Sequence, residues 1–131
     1  MIGLDTNVLV RYLSQDDPVQ SQKATDLIES LTAGEPGFIA MVSVVELVWV
    51  LQSCYQATKS EIVDVLETLL RAKELVVERA EVVWQALRRF SDSKADFADC
   101  LIERCAHAAE CKYTVTLDSK AAKTAGMRHI R

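Results

Sequence analysis

Short apolar runs alternate with helix-like segments along the whole chain, and this alternation constrains the fold more than any other feature. The runs lie at Met1–Leu4, Phe38–Met41, Leu75–Val77, Tyr113–Leu117 and Met127–Ile130. Strands separated by helices favour parallel pairing, because a parallel connection has to cross a face of the sheet. We therefore predict an α/β fold with a mostly parallel central sheet of about four to five short strands, flanked by helices on both faces.

Local signals mark where several helices begin. Asp17 followed by Pro18 predicts an N-cap and first helical residue for a helix that runs to about Leu31. Thr58 and Glu61 have the spacing of a capping box before another helix. The helix predicted at Val42–Tyr55 is apolar on almost every side, so we expect it to be buried on several sides and to indicate a dimer interface.

Size and composition limit the domain organisation and the location. The chain has 131 residues, half of them apolar, which predicts a single domain over residues 1–131 with a substantial core. It has no apolar run of about 18 residues and no basic leader, so we expect no membrane span, no signal peptide and a cytoplasmic location. The four cysteines lack Cys-x-x-Cys spacing, which predicts reduced thiols that lie mostly in the core.

The overall charge gives little support to a nucleic-acid partner. A net charge of −4 lacks the basic signature of most nucleic-acid binders. A local strip of basic side chains can still neutralise phosphates. The candidates for such a strip are Arg11, Lys94, Lys120, Lys123 and Arg128.

Acidic residues lie beside the strand-like runs, far apart in sequence. They are Asp5, Glu46, the pair Asp96 and Asp99, and Asp118. The carboxyl ends of parallel strands lie along one edge of a sheet, where the ligand crevice forms, so we expect these carboxylates to converge. Converging carboxylates repel one another and raise each other's pKa values unless a cation lies between them. An all-oxygen site of this kind suits Mg²⁺ or Mn²⁺.

Each acid also has a simpler structural interpretation. Asp5 and Asp118 each precede a predicted helix and could be N-caps. Ser43 and Glu46 have capping-box spacing. However, the apolar neighbours of Glu46 predict a buried carboxylate that needs a partner such as a metal or a metal-bound water.

Asp96 and Asp99 lie three residues apart on one face of a predicted helix. The positive end of the helix stabilises both, but like charges at this spacing repel without a counterion. One acid alone is easily explained by its helix. Several acids at strand ends in one α/β chain favour a shared metal.

Four segments together resemble a known family. They are Met-Ile-Gly-Leu-Asp-Thr-Asn-Val-Leu-Val at the start of the chain, Ser43 to Glu46, Ala95 to Ile102, and Thr116-Leu117-Asp118. In order and spacing they resemble a PIN domain, specifically the toxin ribonuclease of a VapBC-type toxin–antitoxin pair. The resemblance covers essentially the whole chain. It departs after Asp118, where family members often carry a Phe and this chain has Lys120 to Lys123, which weakens the assignment of Asp118.

The resemblance implies roles for individual residues. Asp5 and Asp99 would bind the metal, and Glu46, Asp96 and Asp118 would complete a catalytic acidic pocket. The residues expected to hydrogen-bond around these acids are Thr6, Asn7, Ser43 and Thr116. The resemblance further implies Mg²⁺, with Mn²⁺ as a possible substitute, hydrolysis of RNA phosphodiester bonds, a homodimer, and inhibition by a cognate antitoxin protein.

Two other functions are compatible with an acidic pocket. One is a phosphatase with Asp5 as covalent nucleophile, as in haloacid-dehalogenase-like enzymes. Such enzymes need a second Asp two positions on, where this chain has Asn7. The other is a non-catalytic module that binds Mg²⁺ without turnover, although such a module has less need for all five acids.

Overall fold

The computed structural model describes residues 1–130, which form five strands and seven helices. The strands are β1 (Ile2–Gly3), β2 (Gly37–Ile39), β3 (Leu75–Val77), β4 (Val115–Thr116) and β5 (Arg128–His129). The helices are α1 (Thr6–Ser14), α2 (Pro18–Ser30), α3 (Met41–Cys54), α4 (Lys59–Arg71), α5 (Ala80–Asp92), α6 (Phe97–Ala108) and α7 (Ser119–Thr124). No helix among residues 1–130 is both long and apolar enough to cross a bilayer.

The strands pair in parallel, as the alternation of strands and helices predicts. A three-stranded sheet has the order β1-β2-β3, and β4 pairs with β5 in a two-stranded sheet. The α/β prediction is therefore confirmed. The residues divide into two compact units, one spanning Met1–Glu78 and the other beginning at Arg79.

In the first unit, the central strand of the sheet requires a glycine. Gly37 pairs with Ile2 on one side and with Leu75 on the other. A Cβ atom at Gly37 would lie 2.8 Å from a methyl carbon of Leu4 and 2.9 Å from one of Leu31. Glycine therefore lets the buried leucines pack directly on the strand. The fully buried side chains around this sheet include Leu9, Ile39, Leu47, Ile62 and Leu66.

A hydrogen-bond network ties the end of α1 to the end of α3. The carboxylate of Asp16 accepts hydrogen bonds from Tyr55 Oη at 2.6 Å, Ser14 Oγ at 2.7 Å and Arg11 Nη1 at 2.9 Å. The bonds from Tyr55 and Ser14, helped by Arg11, lower the pKa of Asp16 to about 2. The network holds Arg11 near the C-terminus of α1.

The second unit is built on the packing of α5 against α6. The rings of Phe90 and Phe97 meet edge to face with centroids 5.8 Å apart. Between the two helices, Ser93 Oγ donates to the carbonyl of Arg89 at 2.6 Å and accepts from the N–H of Ala95 at 3.1 Å. These bonds fix the turn that leads into Asp96, the N-cap of α6.

The predicted helix starts at Asp17 and Thr58 are confirmed. Asp17 caps α2 by accepting from the N–H of Gln20 at 3.1 Å, with Pro18 as first residue. Thr58 accepts from the N–H of Glu61 at 3.2 Å, and Glu61 accepts from the N–H of Thr58 at 2.9 Å. Both bonds of the capping box are present.

Within one chain, α3 is buried on part of its circumference and exposes large apolar side chains on another part. Val42 is 67% exposed and Trp49 is 64% exposed, although Leu47 on another side is fully buried. The helix begins at Met41, whose N–H donates to Glu78 Oε1 at 2.8 Å. A carboxylate from a distant residue thus occupies the start of this helix, and the capping-box interpretation of Ser43 and Glu46 does not hold.

The cysteine predictions are confirmed in part. All four cysteines are free thiols. Cys100 is buried, but Cys54 and Cys111 are exposed and Cys105 is half-buried. The expectation that they lie mostly in the core is therefore wrong, because Cys54 and Cys111 stand at or just beyond helix ends.

Candidate active site

Asp5 stands at the junction of β1 and α1 in the first unit. It is the N-cap of α1, and its side chain is exposed. Within the described chain, its carboxylate makes no capping hydrogen bond. The backbone of Asp5 thus begins α1, while its carboxylate oxygens are not used by the helix and are available to a ligand.

Glu46 is linked to the start of α1 by a hydrogen bond. Thr6 Oγ1 donates to Glu46 Oε1 at 2.7 Å, and the Thr6 side chain is buried. The prediction that Glu46 is buried is wrong, because this residue lies on an exposed part of α3. Its partner is the Thr6 hydroxyl, which orients one carboxylate oxygen and leaves the other open.

The other two polar residues predicted in this unit are placed differently. Ser43 is buried one turn before Glu46 on α3. Asn7 is exposed and lines a surface depression of about 380 Å³ between α1 and α2. Arg11, one of the candidate phosphate-binding residues, also lines this depression.

In the second unit, two acids that precede helices differ in how their side chains are used. Asp96 is the N-cap of α6, yet its side chain makes no capping bond within residues 1–130. Asp118 caps α7 by accepting from the N–H groups of Lys120 at 2.8 Å and Ala121 at 3.4 Å. The N–H of Asp118 in turn donates to Thr116 Oγ1 at 3.0 Å. Asp118 therefore has a complete structural role as a cap, whereas Asp96 does not.

The pKa of Asp99 is affected by its burial and by the charges of the neighbouring acids. Its pKa is raised above the ordinary value, first by partial burial and then by repulsion from Asp96 and Asp118. Lys120 opposes this rise. Asp96 and Asp118 are therefore both within electrostatic range of Asp99, and Lys120 compensates their negative charge only in part.

The donor chemistry fits a hard divalent cation. Among residues 1–130, no three His, Cys, Asp or Glu side chains are close enough together to hold a metal ion. Mg²⁺, however, usually keeps several waters and uses only one or two protein carboxylates. In the first unit Asp5, and in the second unit Asp96 and the half-buried Asp99, are oxygen donors of that type, and neither Asp5 nor Asp96 caps its helix through the side chain.

A comparison with known families decides the family of the chain. The PIN domain family model matches residues 2–127 and so runs through both units. The chain belongs to the PIN-domain family. This PIN-domain protein is similar to the VapC ribonuclease of Aquifex aeolicus (strain VF5), with 30% identity over 99 residues. The alignment covers 75% of this chain and 73% of that relative. The VapC-like resemblance and the PIN fold predicted from the sequence are thereby confirmed.

Lys120, one of the candidate phosphate-binding residues, lies near the acids of the second unit. Its charge acts on Asp99 and lowers the pKa of that carboxyl. Its backbone N–H also completes the Asp118 cap. The position of Lys120 two residues after Asp118 is the sequence signal that could have indicated this capping bond.

The repulsion at Asp99 leads to a stability prediction. Because the native pKa of Asp99 lies above its value in the unfolded chain, its ionised form destabilises the folded state at pH above the native pKa. In the presence of a chelator, Asp99→Asn should therefore increase the free energy of unfolding modestly at pH 7. The gain should shrink as the pH falls through the native pKa, because protonation of Asp99 removes the same partly buried and repelled charge from the unmodified protein.

Urea unfolding at pH 7 and at pH 4 measures this difference. Asp64→Asn is a matched control, since Asp64 is an exposed residue of α4 and should change stability by less than about 0.5 kcal/mol. A loss of stability at pH 7 in Asp99→Asn would contradict the electrostatic account.

Proposed function

We propose that this protein is a metal-dependent endoribonuclease and the toxin component of a type II toxin–antitoxin system. The observation that carries the proposal is the pair of helix-capping aspartates, Asp5 and Asp96, whose carboxylates their own helices do not use. The similarity to a VapC ribonuclease over three quarters of the chain supports the same activity.

Asp5 and Asp99 are the proposed ligands of Mg²⁺, for which Mn²⁺ can substitute. When bound, the ion supplies positive charge to a phosphodiester and lowers the pKa of water. Its charge would also offset the partial burial and the repulsion by Asp96 and Asp118 that raise the pKa of Asp99. The carboxylates would thus be stabilised by the cofactor that they bind.

The other acids position and deprotonate the attacking water. Either Glu46, oriented by Thr6, or Asp96 accepts the proton as the water attacks phosphorus. Asp118 contributes negative charge to the pocket. Water attack in line with the leaving 3′ oxygen gives products with 5′ phosphate and 3′ hydroxyl ends. Asn7, Ser43 and Thr116 hydrogen-bond around these groups.

The same proposal includes the setting in which the enzyme acts. The two units together make the single PIN domain of residues 1–131, which works in the cytoplasm on RNA. A cognate antitoxin protein inhibits it. A small gene for a DNA-binding protein directly upstream of this one would support that pairing.

Substitution of the proposed ligands tests the activity. Loss of a residue that only hydrogen-bonds to a metal ligand lowers activity by up to about 100-fold. We expect Asp5→Asn and Asp99→Asn each to reduce Mg²⁺-dependent cleavage of RNA by more than that. Cleavage of labelled RNA, with and without chelator, measures this, and mapping of the product ends checks for 5′ phosphates. Asp64→Asn should cut at the normal rate.

Three outcomes would contradict the proposed function. Folded Asp5→Asn and Asp99→Asn proteins that cut normally would remove the assigned ligands. Mg²⁺ binding without turnover on any RNA would favour the non-catalytic module. Trapping of a phosphate ester on Asp5 would favour the phosphatase.

Thr6→Val tests the orientation of Glu46. Valine has nearly the shape of threonine but cannot donate to Glu46, so we expect cleavage to fall by about 10- to 100-fold with little loss of stability. Thr6→Ser keeps the hydroxyl and should restore most of the activity. If both variants behave alike, the hydrogen bond does not contribute to catalysis.

The homodimer is proposed to form through the exposed face of α3. Val42 and Trp49 lie seven residues apart on this helix and are both largely exposed, which is unusual for large apolar side chains that follow helical spacing. We expect light scattering to give twice the mass of one chain, and Trp49→Glu to give a monomer. Val19→Glu, at a comparably exposed apolar residue of α2, should remain dimeric. A monomeric unmodified protein would contradict this interface.

A further inference from the structure

Three arginines meet in one surface depression of the second unit. The depression has a volume of about 440 Å³, within the range of about 300–1,000 Å³ common for ligand sites. Its lining residues are Gln85, Arg88, Arg89, Asp92, Ser93 and Arg104. We refer to these six residues as the arginine depression. It holds three guanidinium groups and one carboxylate, in a chain with a net charge of −4.

Two of the three arginines have guanidinium groups that carry uncompensated charge. Arg104 forms a two-point ion pair with Glu103, through Nε to Oε1 at 2.6 Å and Nη2 to Oε2 at 3.0 Å. Arg88 and Arg89 are exposed, and neither has an ion-pair partner in the part of the chain that the structure describes. Their N–H donors therefore remain available to an anion.

Both of these arginines are held in place without being neutralised. The Arg88 guanidinium carbon lies 5.9 Å from the centroid of the Trp84 ring, within cation–π range. The Arg89 guanidinium packs against the backbone at Gly126, where a Cβ atom would lie 3.1 Å from Nη2. Guanidinium groups with fixed positions lose less entropy when they bind a phosphate in two-point geometry.

The depression adjoins the acids of the second unit. Arg89, Asp92 and Ser93 lie at the C-terminal end of α5, and the hydroxyl of Ser93 fixes the turn that leads to Asp96. Arg89, Asp96 and Asp99 all lie within electrostatic range of the Cys100 thiol. The depression thus includes the residues of the turn that leads directly to Asp96.

We propose that the arginine depression binds backbone phosphates of the RNA substrate beside the bond that is cut. This inference rests on the proposed ribonuclease function and adds a binding site to it. A polyanion that approaches a group of aspartates is repelled, so binding requires positive charge next to them. Arginine forks suit phosphate geometry, and a nucleic acid presents phosphates at regular intervals. These features favour RNA over an acidic segment of a partner protein.

The experiment measures RNA binding separately from cleavage. A fluorescein-labelled single-stranded RNA oligonucleotide is titrated with protein in a chelator, and anisotropy gives the affinity over a series of salt concentrations. We expect Arg88→Gln/Arg89→Gln to weaken binding by about 10- to 100-fold at low salt, since each lost charge-assisted hydrogen bond removes about tenfold. The slope of log K against log salt should fall by about 1.4, or about 0.7 for each lost phosphate contact on a single strand.

Matched variants test whether RNA binding weakens because these two arginines are missing or because the net charge has changed. Lys73→Gln/Lys112→Gln removes the same charge outside the arginine depression and should bind RNA almost normally. Arg88→Lys/Arg89→Lys keeps the charge and should retain the salt slope. Because both arginines are exposed, the glutamine variant should fold, and thermal unfolding checks this.

The experiment distinguishes failure of this inference from failure of the proposed function. If the protein cuts RNA but the glutamine variant binds RNA with unchanged affinity and salt slope, this inference is wrong and the proposed function stands. If that variant binds RNA normally but escapes inhibition by the antitoxin, the depression serves a protein partner and the inference is also wrong. If the unmodified protein neither binds nor cuts RNA, both proposals are wrong.

Discussion

Aspartates at helix starts whose N–H groups they do not bind are the constraint that shapes the acidic regions of this protein. Asp5 and Asp96 cap α1 and α6 without bonding to the helix N–H groups. Asp99 follows in the first turn of α6, where partial burial and its acidic neighbours raise its pKa. The positive ends of the helices offset part of this cost. The remainder leaves the start of α6 with negative charge that is only partly compensated.

Asp118 differs from the other two aspartates at helix starts in how its side chain is used. Like Asp5 and Asp96 it immediately precedes a helix, but it accepts from two backbone N–H groups of α7. One of its two carboxylate oxygens, Oδ1, is therefore already engaged. The chain also departs from the family pattern just after this residue. Both observations separate Asp118 from Asp5 and Asp96, whose carboxylates do not cap their helices.

The sequence predicted features that depend on near neighbours in the chain. The caps at Asp17 and Thr58 rest on bonds that span three residues, and β3 has the predicted bounds at Leu75–Val77. Parallel pairing followed from the alternation of strands and helices. Asp5 and Asp96 were likewise placed correctly at helix starts, because N-cap chemistry is local.

Features that depend on distant residues were not predictable in the same way. Glu78 bonds to the start of α3 from 37 residues away and displaces the expected capping box. The apolar composition of α3 did not reveal that Trp49 is left uncovered, because composition does not specify which neighbours pack against a helix. The arginine depression combines α5 with α6, and none of its arginines was among the basic residues singled out from the sequence.

The backbone at Gly126 lies against the guanidinium group of Arg89 on the surface of the second unit. Its φ of +80° is a conformation that residues with side chains rarely adopt, and the guanidinium of Arg89 occupies the space that a side chain would need. A larger residue at this position would strain the turn after α7 and displace Arg89 at the same time. Two separate effects therefore disfavour a larger residue at this position, and loss of substrate affinity in a Gly126 mutant would have a steric origin in a residue that itself carries no charge.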